Sequence, residues 1–227
     1  MEHEQNTKPF ERFIQLKHSC TAVALYIASM KQWIVLVCMS LLWAQCSLSS
    51  NNEKNGHPII VIETQYGDIE AELYPDKAPQ SVAAFLQFVD SGFYQRSSFY
   101  RILSEDNQPM GSAPAELIQG GLWGTGNKRE YLKGIPHENT QQTGLRHVNG
   151  ALSLARQDTG TANTEFFICI GDQPGFDFGG DNNGDGQGYA VFGQVTKGMD
   201  VVQKIYRRPE ENQYFTPQVD IITVRRK

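Results

Sequence analysis

From residue 58 onward the chain is a succession of short apolar runs, most of them alternating with polar residues and two spaced as helices are. Residues 59–63 and 69–74 predict a pair of strands around the turn Gln65-Tyr66-Gly67-Asp68. In the second strand Ile69, Ala71 and Leu73 face one way and Glu70, Glu72 and Tyr74 the other, the pattern of a half-buried sheet. Pro79 then opens a helix where its missing N–H is harmless. Val82, Phe85, Leu86 and Val89 form one apolar stripe on it, and Gly92 stands where a capping glycine would. Residues 98–103 alternate again, with Phe99, Arg101 and Leu103 on one side and Tyr100 and Ile102 on the other, and 117–122 make the return. Further strands are expected at 150–156, 165–170, 189–195 and 219–225, with a shorter helix at 198–205 through Met199, Val202 and Ile205. Many short strands with two helices imply a mainly β fold, an antiparallel barrel or sandwich.

Arg101 is the position in this pattern that asks for chemistry. An arginine sharing a face with Phe99 and Leu103 is unfavourable unless that face lines a cleft where the guanidinium has a partner. Composition narrows the field without assigning a role. At 227 residues the chain holds one medium domain plus an appendage. A net charge of −5 with scattered basic groups lacks the basic stripe that a nucleic-acid partner requires.

The appendage is the N-terminal segment, residues 1–46. Residues 20–44 are largely apolar, but as one membrane-crossing helix they place Lys31 near mid-span, at roughly 2.5–3.5 kcal/mol. A signal segment beginning at Met30 avoids that cost, with Lys31 as its positive region, 34–43 as its apolar core and a cleavage zone beyond. Cys46 stands where a bacterial lipoprotein is cleaved and lipidated, although Gln45 is larger than the small residue usual before such a cysteine. The expectation is an exported protein, periplasmic or anchored facing the periplasm, through a lipidated Cys46 or a retained helix. Residues 47–57, with several Ser and Asn, form the linker, and 58–227 the folded domain.

Other chemistries fit less well. Cys20, Cys38 and Cys46 lie in the appendage, so the domain's lone Cys169, inside an apolar run, reads as an inert core thiol. Asp181-Asn182-Asn183-Gly184-Asp185-Gly186 imitates the opening of a calcium loop. Its twelfth position is Phe192 where a bidentate glutamate belongs, which leaves an ordinary polar turn. His137, Glu138 and His147 lack the spacing of a helical zinc site, and the histidines read as solvated loop residues. Glu116 and Glu165 are a conceivable acid/base pair of the kind glycosidases use.

Five motifs in order carry a resemblance: Phe99-Tyr100-Arg101-Ile102, Leu117-Ile118-Gln119-Gly120-Gly121, Gly150-Ala151-Leu152-Ser153-Leu154-Ala155, Glu165-Phe166-Phe167-Ile168 and Tyr189-Ala190-Val191-Phe192-Gly193. Together they resemble the cyclophilins, the cyclosporin-binding peptidyl-prolyl isomerases, over residues 59–224. The resemblance implies a closed eight-stranded antiparallel barrel capped by two α-helices. It also implies an enzyme that turns X–Pro bonds in proline-containing polypeptides without metal or cofactor. By position Arg101 looks like the catalytic arginine and Gln119 like the active-site glutamine. Phe167 resembles the floor of the proline pocket, Leu117 takes its methionine position, Phe176 its leucine and Tyr189 its histidine. Ala155 and Arg156 align with the Ala-Asn pair whose backbone holds substrate, and Glu165 with a substrate-binding glutamine.

The departures bear on rate and preference. Glu116 replaces the aromatic that precedes the pocket wall, Glu165 replaces glutamine, and roughly ten extra residues, within 104–115, separate the arginine strand from its partner. Gly175 falls where cyclosporin-sensitive relatives carry a drug-binding tryptophan, so poor sensitivity is expected, to be improved by Gly175→Trp. A monomer assisting the folding of exported proteins is the expectation. The alternative is a cyclophilin-shaped module that grips proline segments without turning them over.

Overall fold

The computed structural model describes residues 56–123, 125 and 132–227; residues 1–46 with Cys46, and most of the 47–57 linker, lie outside them. Eight strands form at the places the apolar pattern marks, as β1 (Ile59–Thr64), β2 (Gly67–Leu73), β3 (Ser97–Leu103), β4 (Leu117–Gly121), β5 (Ala151–Leu154), β6 (Phe166–Cys169), β7 (Ala190–Lys197) and β9 (Tyr214–Arg226), and a short β8 (Glu210–Glu211) that it does not mark joins them. Every pairing is antiparallel, in the order β1-β2-β7-β5-β6-β4-β3-β9, and β9 returns to pair with β1. Eight strands therefore close a barrel, with two-residue β8 attached outside the ring to β9. The closing strand is longer than the 219–225 expected, because it begins at a hairpin that the apolar pattern does not mark.

Among the described residues two helices stand as expected, α1 (Pro79–Asp90) and α3 (Met199–Tyr206), and a one-turn α2 (Thr140–Thr143) adds a third. The stripe on α1 enters the core, where Phe85 meets Tyr94, Phe166 and Phe192 at 5.2, 5.7 and 4.9 Å. Its C-terminus closes as the glycine foretold. Gly92, at φ +71°, donates to Val89 O, Phe93 donates to Phe88 O, and the two phenylalanine rings stack 5.5 Å apart. The N-terminus has no side-chain cap of its own. Buried Glu138 supplies one from far along the chain, accepting from Gln80 N at 3.1 Å, Ser81 N at 2.8 Å and Ser81 Oγ at 2.7 Å.

Period-two alternation decides what lies inside the barrel and what lies on its wall. On β4 and β6 Ile118, Phe166 and Ile168 join the interior core, whereas Leu117, Phe167 and Cys169 belong to a second, smaller cluster on the other face. Cys169 is fully buried there, and burial pushes its thiol well up, as an inert thiol requires.

β3 breaks its own alternation. Phe99 pairs with Gly120 and Arg101 with Gln119, so Tyr100 has no opposite number on β4 and forms a bulge. The expected face of Phe99, Arg101 and Leu103 is thereby split. Phe99 and Ile102 enter the interior core, and Leu103 joins the wall cluster. The extra residue is what turns Arg101 out of the barrel.

Candidate active site

Arg101 emerges into a cavity of about 660 Å³ on the barrel wall, together with Leu117, Gln119, Ala155, Arg156, Phe167, Phe176 and Tyr189. Eight of the nine sequence-derived site residues thus share one cavity. The ninth, Glu165, lines an adjoining cavity of about 680 Å³, to which Arg101, Gln119, Ala155 and Arg156 also contribute. The floor of the first cavity is aromatic: Phe167 lies 5.3 Å from Phe176 and 5.5 Å edge-on from Tyr189.

Neutral oxygens hold the guanidinium. Arg101 Nη1 donates to Gln119 Oε1 at 3.2 Å and Nη2 to Gln213 Oε1 at 2.8 Å. Gln119 Nε2 in turn donates to the Tyr100 hydroxyl at 2.6 Å. Burial first, then the negative charge of the nearby Glu165 carboxylate, push that phenol far above its ordinary range. Leu122 N donates to Glu165 Oε1 at 3.0 Å, and this close approach needs glycine at 121. That residue is at φ +146°, and a Cβ would sit 2.5 Å from Glu165 Oε2. Glu116, by contrast, lines neither cavity and accepts from the Tyr206 hydroxyl on α3, so it forms no acid/base pair with Glu165.

Beneath the aromatic floor lies His147, which is buried rather than solvated as its loop position suggested. Its ring stacks on Phe167 at 5.9 Å, with Nδ1 2.8 Å from Asp177 Oδ1 and Nε2 3.0 Å from Ser153 Oγ. Burial lowers the imidazole's pKa despite the pull of Asp177. Burial resists ionisation of Asp177 too, but bonds from His147 and Arg146 outweigh it and hold that carboxyl below its usual range. The pair is a neutral imidazole donating from Nδ1 to a carboxylate, which leaves Nε2 to accept from Ser153. Ser153 is itself wholly buried, so this is a brace for the floor and not an exposed nucleophile.

Comparison with known proteins agrees with this geometry. The family described as "Cyclophilin type peptidyl-prolyl cis-trans isomerase/CLD" matches residues 59–226. Peptidyl-prolyl cis-trans isomerase B of Escherichia coli is 35% identical over 148 residues, spanning 65% of this chain and 83% of the relative. A peptidyl-prolyl cis-trans isomerase of Acinetobacter baylyi is 37% identical over 152 residues, spanning 66% and 73%. In fold the chain is similar to a Cryptosporidium parvum cyclophilin, with a TM-score of 0.61 at 21% identity over 75% of this chain and 98% of that one. The chain belongs to the cyclophilin family.

Within this cyclophilin several site features went unread in the sequence. Gln213, on the cavity wall, comes from the unmarked β8–β9 hairpin. The 104–115 insertion supplies Gln108, Pro109, Gly111, Ser112 and Ala113 to the same wall. The side chain of Arg156 is spent inward. It is 1% exposed, forks onto Asp185 at 2.7 and 2.8 Å, donates twice to Gly188 O and lies 5.3 Å over the Tyr189 ring. Asp185 belongs to the calcium-like run, whose carboxylate here pins a turn. Among the described residues no three His, Cys, Asp or Glu side chains come together as a metal site would require.

Proposed function

We propose that this cyclophilin-type isomerase turns X–Pro bonds by presenting Arg101 to the prolyl nitrogen. Rotation crosses a barrier of roughly 18–20 kcal/mol set by amide resonance. At the twisted transition state the nitrogen pyramidalises and gains a lone pair. A permanently charged donor beside it binds that state better than the planar one, which is the condition for catalysis. Phe167, Leu117 and Phe176 would hold the ring, while Gln119 and the backbone at Ala155 and Arg156 hold the flanking carbonyl. One observation carries the reading: a guanidinium beside an aromatic cup whose two hydrogen-bond partners are amide oxygens. Among the described residues no carboxylate forms an ion pair with it, and N–H groups remain for a substrate.

Exchange measured on proline peptides tests this. Arg101→Ala should lower turnover about 10²–10³-fold, as loss of a transition-state donor does, with peptide affinity nearly unchanged. Equal losses in both would favour the alternative, a module that only binds proline segments.

For its place of work we propose the folding of exported proteins as a monomer. Lys31, the apolar run at 34–43 and Cys46 support export. Mass spectrometry of membranes from a bacterial host should find a product that begins at lipidated Cys46. Residues 30–45 still attached would point to a retained anchor instead.

A further inference from the structure

We infer that Gln213 is a positioning residue for Arg101, and that through Gln213 the 104–115 insertion buttresses the guanidinium. The inference rests on Arg101 being the catalytic donor. Gln213 grips the arginine strand twice: its side-chain Oε1 accepts from Arg101 Nη2 at 2.8 Å, and its backbone O accepts from Ile102 N at 2.9 Å. Its Nε2 is also used, donating to Asn107 O at 3.1 Å in the first turn of the insertion. That turn is itself tied to β3, since Asn107 Oδ1 accepts from Ser104 N at 2.9 Å and its Nδ2 donates to Ile102 O at 3.3 Å. Side chain, strand backbone and insertion therefore meet at one amide.

The backbone of Gln213 shows that local preference has been overridden. Asn212 and Gln213 are the two central residues of the β8–β9 hairpin, at φ +52° and +72°. A two-residue turn of this kind favours glycine at its second position, and a long side chain there is strained. The strained residue is held by its N–H donating to Glu210 Oε2 at 2.7 Å. Strain kept at a cavity wall is what a side chain selected for its reach would leave. Its chemistry suits the task as well, because an amide oxygen fixes the guanidinium while leaving its full charge, whereas a carboxylate there would form an ion pair.

Gln213→Gly separates positioning from folding. Glycine fits the positive φ and keeps the backbone bonds, so thermal stability should match or exceed the parent's. Turnover on proline peptides should fall about tenfold or more, with KM within roughly twofold, because a misplaced group affects kcat first. In ¹⁵N NMR the terminal guanidinium signals of Arg101, distinct while both nitrogens are bonded, should average. The double variant Arg101→Ala/Gln213→Gly should be no slower than Arg101→Ala. Parent-like turnover and unchanged Arg101 signals in Gln213→Gly, or losses that simply add in the double variant, would overturn the role of Gln213 and leave that of Arg101 standing. An Arg101→Ala variant as fast as the parent would instead remove the reading beneath both.

Discussion

Gly175 shows how one residue can mislead when its neighbours are unknown. By alignment it vacates the place of a drug-binding indole, and a tryptophan should restore cyclosporin sensitivity. In the fold the space is taken, since a Cβ on Gly175 would strike the side-chain amide of Asn182. That amide donates to Pro114 O at 3.0 Å in the insertion, and Asn182 N donates to Gly175 O at 3.0 Å. Weak inhibition of the parent is still expected, because the indole donor is missing and one such bond is worth roughly 0.5–1.5 kcal/mol. Gly175→Trp alone should gain nothing in an inhibition titration and lose thermal stability. Pairing it with Asn182→Ala should tighten inhibition, and a gain from the single variant would mean that Asn182 swings aside freely.

Elements were legible where their cause is local. The stripe on α1, the capping glycine and the alternation on β2 depend on residues within one or two turns of each other, and each stands where the sequence put it. What escaped depends on partners distant in the chain or on an unmarked irregularity. The bulge at Tyr100 carries no glycine, so the alternation through Phe99 and Arg101 looked continuous, and the cleft arginine was inferred correctly with its neighbour on the wrong face. The β8–β9 hairpin turns on Asn212-Gln213 without the glycine that usually announces one. Glu138, discounted as a zinc ligand, was not foreseen as the cap of a helix 57 residues away. Its removal is a test at this scale. Glu138→Ala should cost about 1–2 kcal/mol, the range of a strong N-cap at a helix dipole. For a domain of this size that is a fall in Tm of roughly 2–8 °C. An unchanged Tm would mean that water caps α1 equally well.

For the molecule as a whole, the buried pair under the aromatic floor gives stability a pH dependence. His147 is held neutral below its ordinary pKa of 6.5, chiefly by burial. The unfolded chain therefore binds a proton that the folded one refuses, and the stabilisation is intact above about pH 6.5 and declines as pH falls toward the lowered folded value. Melting curves between about pH 8 and 5 should show that decline, and His147→Gln should flatten it. A Tm that rises on acidification would reverse the sign and make the pair an imidazolium salt bridge. The barrel's seam has a mechanical side. β1 meets β9 with Ile60 opposite Arg226 and Glu63 opposite Thr223, and Lys227 N donates to Ile59 O at 2.9 Å. Both ends of the domain thus leave from the same end of one ladder. A load between them peels the ladder a rung at a time, as a zip opens, instead of shearing all its rungs together. A tether attached at the two ends therefore loads these rungs singly, beginning with the one at Ile59 and Lys227.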